Sequence, residues 1–144
     1  MLGSIHSYEL TIHEAHLDTF GHVNNATYLQ LFEEARWQLI TGNGYGLDEI
    51  KRRQAGPTIL EINLRFAREV RNRERVTINS WTESYTGKVH RFHQQLLNDR
   101  QELCCEAAFV IGLFDLQARK LVLPTPEWLR GVGLADLSAG SSGA

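Results

Sequence analysis

Hydrophobic side chains recur at every third or fourth position between Ala26 and Thr41, which is the period of an α-helix with one buried face. The apolar positions are Tyr28, Leu29, Phe32, Ala35, Leu39 and Ile40. We expect Asn24 or Asn25 to cap the start of the helix, because a short polar side chain there can accept a hydrogen bond from a free backbone N–H. Gly42 is expected to stop it. The pattern predicts one long helix with a wide apolar arc.

Elsewhere apolar and polar positions alternate, which predicts β-strands. The predicted strands cover residues 5–13, 61–66, 75–85, 88–98 and 102–115. We expect hairpin turns at Thr86-Gly87 and Asn98-Asp99, so consecutive strands should pair in antiparallel fashion. Residues 103–114 are apolar apart from Glu106 and predict a central strand. Thr125-Pro126 predicts the start of a short helix.

Length and composition favour one globular unit. The 144 residues predict a single α+β domain over 1–137, and the small polar residues at 138–144 predict a flexible tail. The net charge of −2 provides no overall attraction for nucleic acid or an anionic membrane, so neither is an expected partner. No stretch is apolar enough to span a membrane, and the first residues lack the features of a secretion signal. Cys104 and Cys105 are the only cysteines and suit a reducing cytoplasm.

The candidate chemistry lies just before the long helix. Asp18 is followed by a turn containing Gly21 and then by the helix N-terminus, where free N–H groups carry partial positive charge. A carboxylate beside such N–H groups pairs a base or nucleophile with a group that polarises a carbonyl. A thioester could place its oxygen on one N–H and its carbon near Asp18, which is the geometry of acyl transfer.

A longer motif surrounds this loop. It reads Asp18-x-x-Gly21-His22-Val23-Asn24-Asn25-x-x-Tyr28 and continues into Glu33-Glu34-Ala35-Arg36-Trp37. The motif resembles that of hotdog-fold acyl-CoA thioesterases of the 4-hydroxybenzoyl-CoA thioesterase-like family, and it is most similar to the long-chain acyl-CoA branch. The resemblance implies an antiparallel sheet wrapped around one long central helix, and hydrolysis of acyl-CoA without a cofactor or metal. It also implies a homodimer or homotetramer whose active sites lie between subunits.

The resemblance assigns roles to the residues of the motif. It makes Asp18 the catalytic carboxylate, as nucleophile or as general base for water, and it puts the carbonyl-polarising N–H at Asn25. His22 would act directly or orient the loop. The substrate would contact four further residues of the motif, Gly21, Val23, Asn24 and Tyr28. A plant branch uses catalytic Asn and His in a similar segment, but Phe20 stands here in place of that Asn.

Other interpretations of these residues stay open. Asp18 could simply form a turn with the following backbone. A sister group of hotdog thioesterases uses a carboxylate on the long helix, which would be Glu33 or Glu34, although Glu33 and Arg36 are spaced for an ion pair. The protein could also bind acyl thioesters without hydrolysing them, or act on acyl groups held by a carrier protein.

Basic residues concentrate between Lys51 and Arg75, which hold eight of the fifteen and give the segment a charge of +5 against −7 elsewhere. Arginine binds phosphate in bidentate fashion, so we expect Arg68 and Arg71 to contact the nucleotide end of coenzyme A. The alternative is that these basic residues lie on a solvated strand edge and only keep that edge soluble.

Two histidine pairs have metal-site spacing, His13-x-x-His16 and His90-x-x-His93. On a strand, residues three apart face opposite sides, so we interpret all four as surface histidines and predict no metal site.

Overall fold

The architecture is a six-stranded antiparallel sheet with one long helix on one face. The computed structural model describes residues 1–135 and 137, so the predicted tail over 138–144 lies outside the described residues. The strands are β1 (Leu2–Thr11), β2 (Ala55–Phe66), β3 (Arg75–Thr86), β4 (Val89–Asn98), β5 (Leu103–Asp115) and β6 (Lys120–Val122). The sheet order is β1-β3-β4-β5-β2, with β6 beside the end of β5. The sheet wraps around the helix, as the hotdog fold requires.

Helix α1 (Asn25–Gly42) provides one side of the core. Phe32 and Ala35 are fully buried, and the Phe32 ring meets Phe109 of β5 edge-on. Burying one such aromatic side chain contributes about 2–3 kcal/mol to folding. The expected cap is confirmed at Asn24, whose side chain accepts the Ala26 N–H. Gly42, expected to stop the helix, is instead its last residue.

Four elements differ from the sequence-based predictions. Strand β1 covers Leu2–Thr11 rather than residues 5–13. A short helix α2 (Leu47–Arg53) buries one side chain, Ile50, which is too little to produce a helical period. Strand β2 begins at Ala55 rather than at residue 61, because Pro57 disrupts the strand signal. Proline is tolerated there because β2 is an edge strand, whose outer N–H groups need no partner strand. Strand β6 is only three residues long. Helix α3 (Pro126–Gly131) starts directly after the predicted cap, Thr125.

The edge strand β2 leaves apolar side chains uncovered. Ile62 and Phe66 point to the face that carries α1, since they pair in register with the buried Phe109 and Cys105. Yet Ile62 is 43% exposed and Phe66 is 57% exposed. The helix therefore does not cover this edge of the sheet. Among the described helices, none is both long and apolar enough to cross a membrane.

A polar network is buried beneath α1. Gln94 of β4 is fully buried, and its amide donates to the Phe32 carbonyl and to Ser80 Oγ, both at 3.0 Å. Its oxygen accepts from the Arg36 guanidinium at 2.9 Å. Each buried polar atom of Gln94 therefore has a partner, which avoids the cost of desolvating an unpaired group. The network fixes the helix to the centre of the sheet.

His90 was expected at the surface, and this prediction is wrong. Strand β4 alternates so that His90, Phe92 and Gln94 all point inward, and His90 is fully buried. Its ring stacks on Tyr85 and its Nε2 lies 2.8 Å from Thr82 Oγ1.

Burial of His90 predicts a loss of stability in mild acid. Burial lowers the pKa of His90 to about 4, from 6.5 in the unfolded chain. Because the folded state resists protonation, this stability is fully present above pH 6.5 and is lost as pH falls toward 4. The total loss should be about 3 kcal/mol. Chemical denaturation of wild type and His90→Phe across this pH window measures the loss. If the free energy of unfolding fell by the same amount with pH in both proteins, the prediction would be contradicted.

Candidate active site

The loop before α1 folds back on itself and is held by backbone hydrogen bonds. Leu17 and Val23 form an isolated bridge, and the Asp18 N–H donates to the His22 carbonyl at 2.8 Å. The Val23 N–H donates to the Val70 carbonyl at 2.9 Å, which ties the loop to the segment after β2. Gly21 has a φ of +82°, a conformation that suits glycine. The loop therefore has one defined shape.

Asp18 uses one carboxylate oxygen to build this turn. Its Oδ1 accepts the Phe20 N–H at 2.8 Å and the His22 N–H at 3.2 Å. Within the described part of the chain, Oδ2 accepts no hydrogen bond. The carboxylate is thus oriented by its own loop while one oxygen remains free for a ligand. The turn interpretation of Asp18 and the catalytic one are therefore compatible.

The start of α1 supplies a free backbone donor. Asn24 Oδ1 accepts the Ala26 N–H at 2.9 Å, and the Thr27 N–H donates to the Asn24 carbonyl at 2.9 Å. No acceptor among residues 1–135 and 137 takes the Asn25 N–H. This N–H lies at the positive end of the helix dipole, where a developing oxyanion is stabilised.

A cavity of about 570 Å³, called here the site cavity, brings most of the predicted residues together. The predicted residues that line it are Asp18, His22, Val23, Asn24, Asn25, Tyr28 and Arg68. Gly21 and Arg71 do not line it. Gly21 shapes the loop, and the backbone of Arg71 forms an isolated antiparallel β-bridge with that of His22. Phe66, Ala67 and Glu69 complete the lining, and sequence reasoning missed them as site residues. They lie at the end of β2 and just after it, more than forty residues from Asp18, and carry no motif.

His22 is held through a carboxylate. Its Nε2 lies 3.0 Å from Glu69 Oε2, and Glu69 in turn accepts from the Arg71 guanidinium at 2.7 Å. The Arg71 and His22 partners hold the pKa of Glu69 below its usual range. The His22 ring is therefore oriented from one side, while its backbone N–H orients Asp18.

The apolar wall of the site cavity comes from two aromatic rings. Tyr28 is 4% exposed, and its ring meets Phe66 edge-on with centroids 5.5 Å apart. Burial, reinforced by nearby thiols and carboxylates, raises the pKa of Tyr28. The phenol thus stays protonated at neutral pH and suits packing against an acyl group.

The arginines of the basic segment pair mostly with carboxylates. Arg68 lies 3.2 Å from Glu102, which also pairs with Arg100. Further pairs join Arg52 and Arg53 to Glu49, Arg73 to Glu14 and Arg75 to Glu9. Of the two arginines expected to bind phosphate, Arg68 is the one that reaches the site cavity.

The helix carboxylates are engaged elsewhere. Glu34 accepts from the Tyr8 hydroxyl, which raises the pKa of Tyr8 to about 12. The expected ion pair between Glu33 and Arg36 does not form, because Arg36 is drawn under α1 to Gln94 and stacks 4.4 Å over the Phe109 ring. Neither glutamate lines the site cavity.

The histidine pairs do not form metal sites among the residues the structure describes. His13 caps a single 3₁₀ turn (Glu14–His16) of which His16 is the last residue, and the two rings lie 3.9 Å apart. His13 Nδ1 accepts the Ala15 N–H, and His16 Nδ1 accepts the His13 N–H. These ring nitrogens cap the turn.

Comparison with known proteins agrees with this geometry. The sequence model of the Thioesterase-like superfamily matches residues 12–132. The long-chain acyl-CoA thioesterase FadM of Escherichia coli is 26% identical over 113 residues, covering 78% of this chain and 85% of that protein. The chloroplastic acyl-acyl carrier protein thioesterase ATL3 of Arabidopsis thaliana is 23% identical, over 86% of this chain and 66% of that protein.

Among solved structures, the Staphylococcus aureus protein SAV2348, determined in complex with CoA, is similar with a TM-score of 0.85 at 14% identity. The match covers 94% of this chain and 87% of that one. This likeness concerns the fold. The superfamily match over most of the sequence shows that the chain belongs to the Thioesterase-like superfamily and is a thioester hydrolase, and the structural likeness shows that its fold is the hotdog fold.

Proposed function

We propose that this protein hydrolyses acyl-CoA thioesters, with Asp18 as the catalytic carboxylate and the Asn25 N–H as the carbonyl-polarising donor. One observation carries the proposal: Asp18, with a carboxylate oxygen that is free among the described residues, and Asn25, whose helix-terminal N–H has no acceptor among them, line the same cavity. Acyl transfer needs this pairing, because a nucleophile must reach the carbonyl carbon while charge grows on the carbonyl oxygen.

The chemistry can follow two balanced routes. In one, Asp18 Oδ2 takes a proton from water as the water oxygen attacks the thioester carbon. In the other, Oδ2 itself attacks, the carbon–sulfur bond breaks to leave a mixed anhydride, and water then cleaves the anhydride to free acid and the Asp18 carboxylate. In both, the carbonyl electron pair moves onto oxygen during the attack and is stabilised by the Asn25 N–H. When the carbon–sulfur bond breaks, coenzyme A leaves as a thiolate, and this thiolate takes up the proton that the attacking water gives up.

Coenzyme A is the proposed carrier of the acyl group. FadM is named for acyl-CoA hydrolysis, and SAV2348 was solved with CoA. Arg68, at the rim of the site cavity, offers a cation for a phosphate. Acyl-carrier-protein substrates are the second candidate, which the similarity to ATL3 favours.

A thiol-release assay tests this function. Purified protein is given short, medium, long and aromatic acyl-CoAs, and the same acyl groups on a carrier protein. We expect at least one acyl-CoA to be hydrolysed with a higher kcat/KM than its carrier-protein counterpart. The reverse order would favour the second candidate, and no thiol release from any substrate would indicate a binding module.

Arg68→Gln should raise the KM for acyl-CoA about tenfold with little change in kcat, because the nucleotide lies far from the reacting carbonyl. Arg100→Gln is the matched control, since Arg100 shares the Glu102 partner but does not line the site cavity. High salt should reduce the difference.

Truncated acyl-pantetheine should be hydrolysed equally by wild type and Arg68→Gln, since it lacks the phosphates. An unchanged KM at low salt after neutralising Arg68, Arg71 and Arg73 together would mean that the nucleotide binds elsewhere.

We also propose that the protein is an obligate homo-oligomer, at least a dimer. The exposed apolar side chains of β2, together with its unpaired backbone edge, support isologous pairing of two β2 strands. Phe66 belongs both to this edge and to the site cavity, so a second subunit would lie beside the bound acyl group. Location in the cytoplasm stays a prediction; both cysteines are buried free thiols.

A further inference from the structure

The Glu69 carboxylate lines the site cavity, and the proposed chemistry gives it no part. Its Oε1 accepts from Nε and Nη2 of Arg71, at 3.2 and 2.7 Å. Its Oε2 lies 3.0 Å from Nε2 of His22. Hydrogen bonding to Arg71, reinforced by the charges of His22 and Arg71, holds the pKa of Glu69 below its usual range, so this carboxylate is ionised at neutral pH. Arg71 therefore holds the carboxylate, and the carboxylate holds the imidazole.

Backbone contacts hold the loop independently of this pair. The Val23 N–H donates to the Val70 carbonyl. The backbones of His22 and Arg71 form a β-bridge. The side chains of His22 and Glu69 are 37% and 46% exposed, and an ion pair at this exposure contributes little to stability. What the pair determines is the direction of the imidazole ring.

The pair leaves the other ring nitrogen of His22 free. An ionised carboxylate only accepts hydrogen bonds, so Nε2 carries the proton that points to Glu69. Nδ1 makes no hydrogen bond to any residue of 1–135 or 137, and His22 lines the site cavity. An imidazole held by a carboxylate at one nitrogen can take up and return a proton at the other, while the carboxylate balances the transient positive charge.

The thioester sulfur would lie on the same side of the site cavity. In the proposed function the carbonyl oxygen binds the Asn25 N–H and the nucleotide reaches Arg68, so the sulfur lies on the path between them. Glu69 follows Arg68 directly in the chain. Asp18 Oδ1 accepts the backbone N–H of His22 at 3.2 Å. The imidazole therefore belongs to the same turn as the carboxylate that receives the water proton, and its partner adjoins the arginine toward which the sulfur points.

We infer that Glu69 is a positioning residue of this site: it orients His22, whose Nδ1 carries the proton of the attacking water to the departing sulfur. The inference rests on the proposed function and on the route in which Asp18 acts as a general base. His22 would exchange a proton with the reacting atoms, whereas Glu69 acts only through His22.

The proton makes three moves in this relay. Asp18 Oδ2 takes it from water as the water oxygen attacks the carbonyl carbon. It then passes from Oδ2 to His22 Nδ1, directly or through one water. Finally it moves from Nδ1 to sulfur as the carbon–sulfur bond breaks and the electron pair of that bond goes to sulfur. The imidazole is then neutral again and Asp18 is again a carboxylate.

The test varies the leaving thiol and keeps the acyl group. Wild type and Glu69→Ala are given an acyl-pantetheine, whose basic alkyl thiolate needs a proton, and the thiophenyl ester of the same acid, whose aryl thiolate leaves without one. Neither substrate carries the phosphates that Arg68 would bind. We expect Glu69→Ala to lower kcat for the acyl-pantetheine about tenfold, the effect of one hydrogen bond to a charged group, and to spare the thiophenyl ester. A merely structural role of Glu69 would lower both rates equally.

Glu9→Ala is the matched control. Glu9 also pairs with an arginine, Arg75, but does not line the site cavity. This variant should hydrolyse both substrates at the wild-type rate. Melting temperatures of all variants show whether each one is folded.

A double-mutant cycle assigns the effect to His22. His22→Ala removes the ring but keeps the backbone N–H that orients Asp18, and it should lower kcat for the acyl-pantetheine about a hundredfold. Adding Glu69→Ala to His22→Ala should change kcat by less than about twofold, because the ring through which Glu69 acts is gone. The cycle uses only the acyl-pantetheine, so it decides the matter even if the thiophenyl ester is not hydrolysed.

The outcomes separate this inference from the proposed function. An unchanged kcat for acyl-pantetheine in Glu69→Ala, equal losses with both leaving groups, or a further tenfold loss in the His22→Ala background would each overturn the inference while hydrolysis itself stands. Failure of the wild type to release thiol from any acyl thioester would overturn both.

Discussion

Asp18→Asn should lower kcat by about two to four orders of magnitude, the usual contribution of a group that transfers a proton or attacks the substrate. An amide can neither take a proton from water nor attack a thioester. Its oxygen can still accept the Phe20 and His22 N–H groups, and Asn forms such turns as readily as Asp. The substitution therefore isolates the chemistry from the loop structure. Steady-state kinetics and the melting temperature measure the two separately.

The matched controls for Asp18 are Glu33→Gln and Glu34→Gln. Both remove a carboxylate from α1 without touching the site cavity. We expect kcat to stay within a few-fold of wild type for each. If Asp18→Asn kept wild-type kcat while one helix variant lost it, the catalytic carboxylate would be on the helix.

Ile62→Asp should convert the protein to a monomer and abolish most activity. Burying an isoleucine at an interface is worth about 2 kcal/mol, and a two-fold dimer contains the substitution twice. The loss of about 4 kcal/mol raises the dimer dissociation constant about 10³-fold. Sedimentation velocity and the concentration dependence of specific activity measure both effects.

Asn63→Asp is the control for the edge strand. Asn63 is the next residue of β2, also exposed, but it points to the opposite face of the sheet. The Asn63→Asp substitution adds the same negative charge as Ile62→Asp and should leave assembly unchanged. A wild-type protein that is a stable, active monomer at micromolar concentration would contradict the proposal of an obligate homo-oligomer.

The sequence predicted the fold wherever a period was long enough to be seen. The eighteen residues of α1, the alternation in β3 and β4 and the apolar run of β5 identify their elements, and the cap at Asn24 follows from its side chain. The predicted β2 was too short because Pro57 disfavours a strand in the local sequence. Only the position of β2 at the sheet edge permits a proline there.

The site was predicted as far as the motif extends. Asp18, His22 and Asn25 are close in sequence, so local reasoning brings them together. Glu69 is added by tertiary folding, which spacing along the chain cannot reveal.

Arg36 and His90 mark the limits of pattern reasoning. The i,i+3 spacing of Glu33 and Arg36 predicted an ion pair on the surface. Arg36 instead packs under α1, where its guanidinium donates to the buried Gln94 amide and stacks on the Phe109 ring. Burial of His90 was within reach of the sequence, because His90 lies two residues from the apolar Phe92 and therefore on the same face of β4.

The most direct test of thioester hydrolysis by Asp18 is a single-turnover experiment. Wild-type protein in excess is mixed with a long-chain acyl-CoA, and free acid, free thiol and intact thioester are quantified over time. The account predicts complete conversion to one acid and one thiol per substrate by wild type, and intact, bound thioester with Asp18→Asn. Intact thioester recovered from the wild-type complex, or equal conversion by the variant, would contradict it.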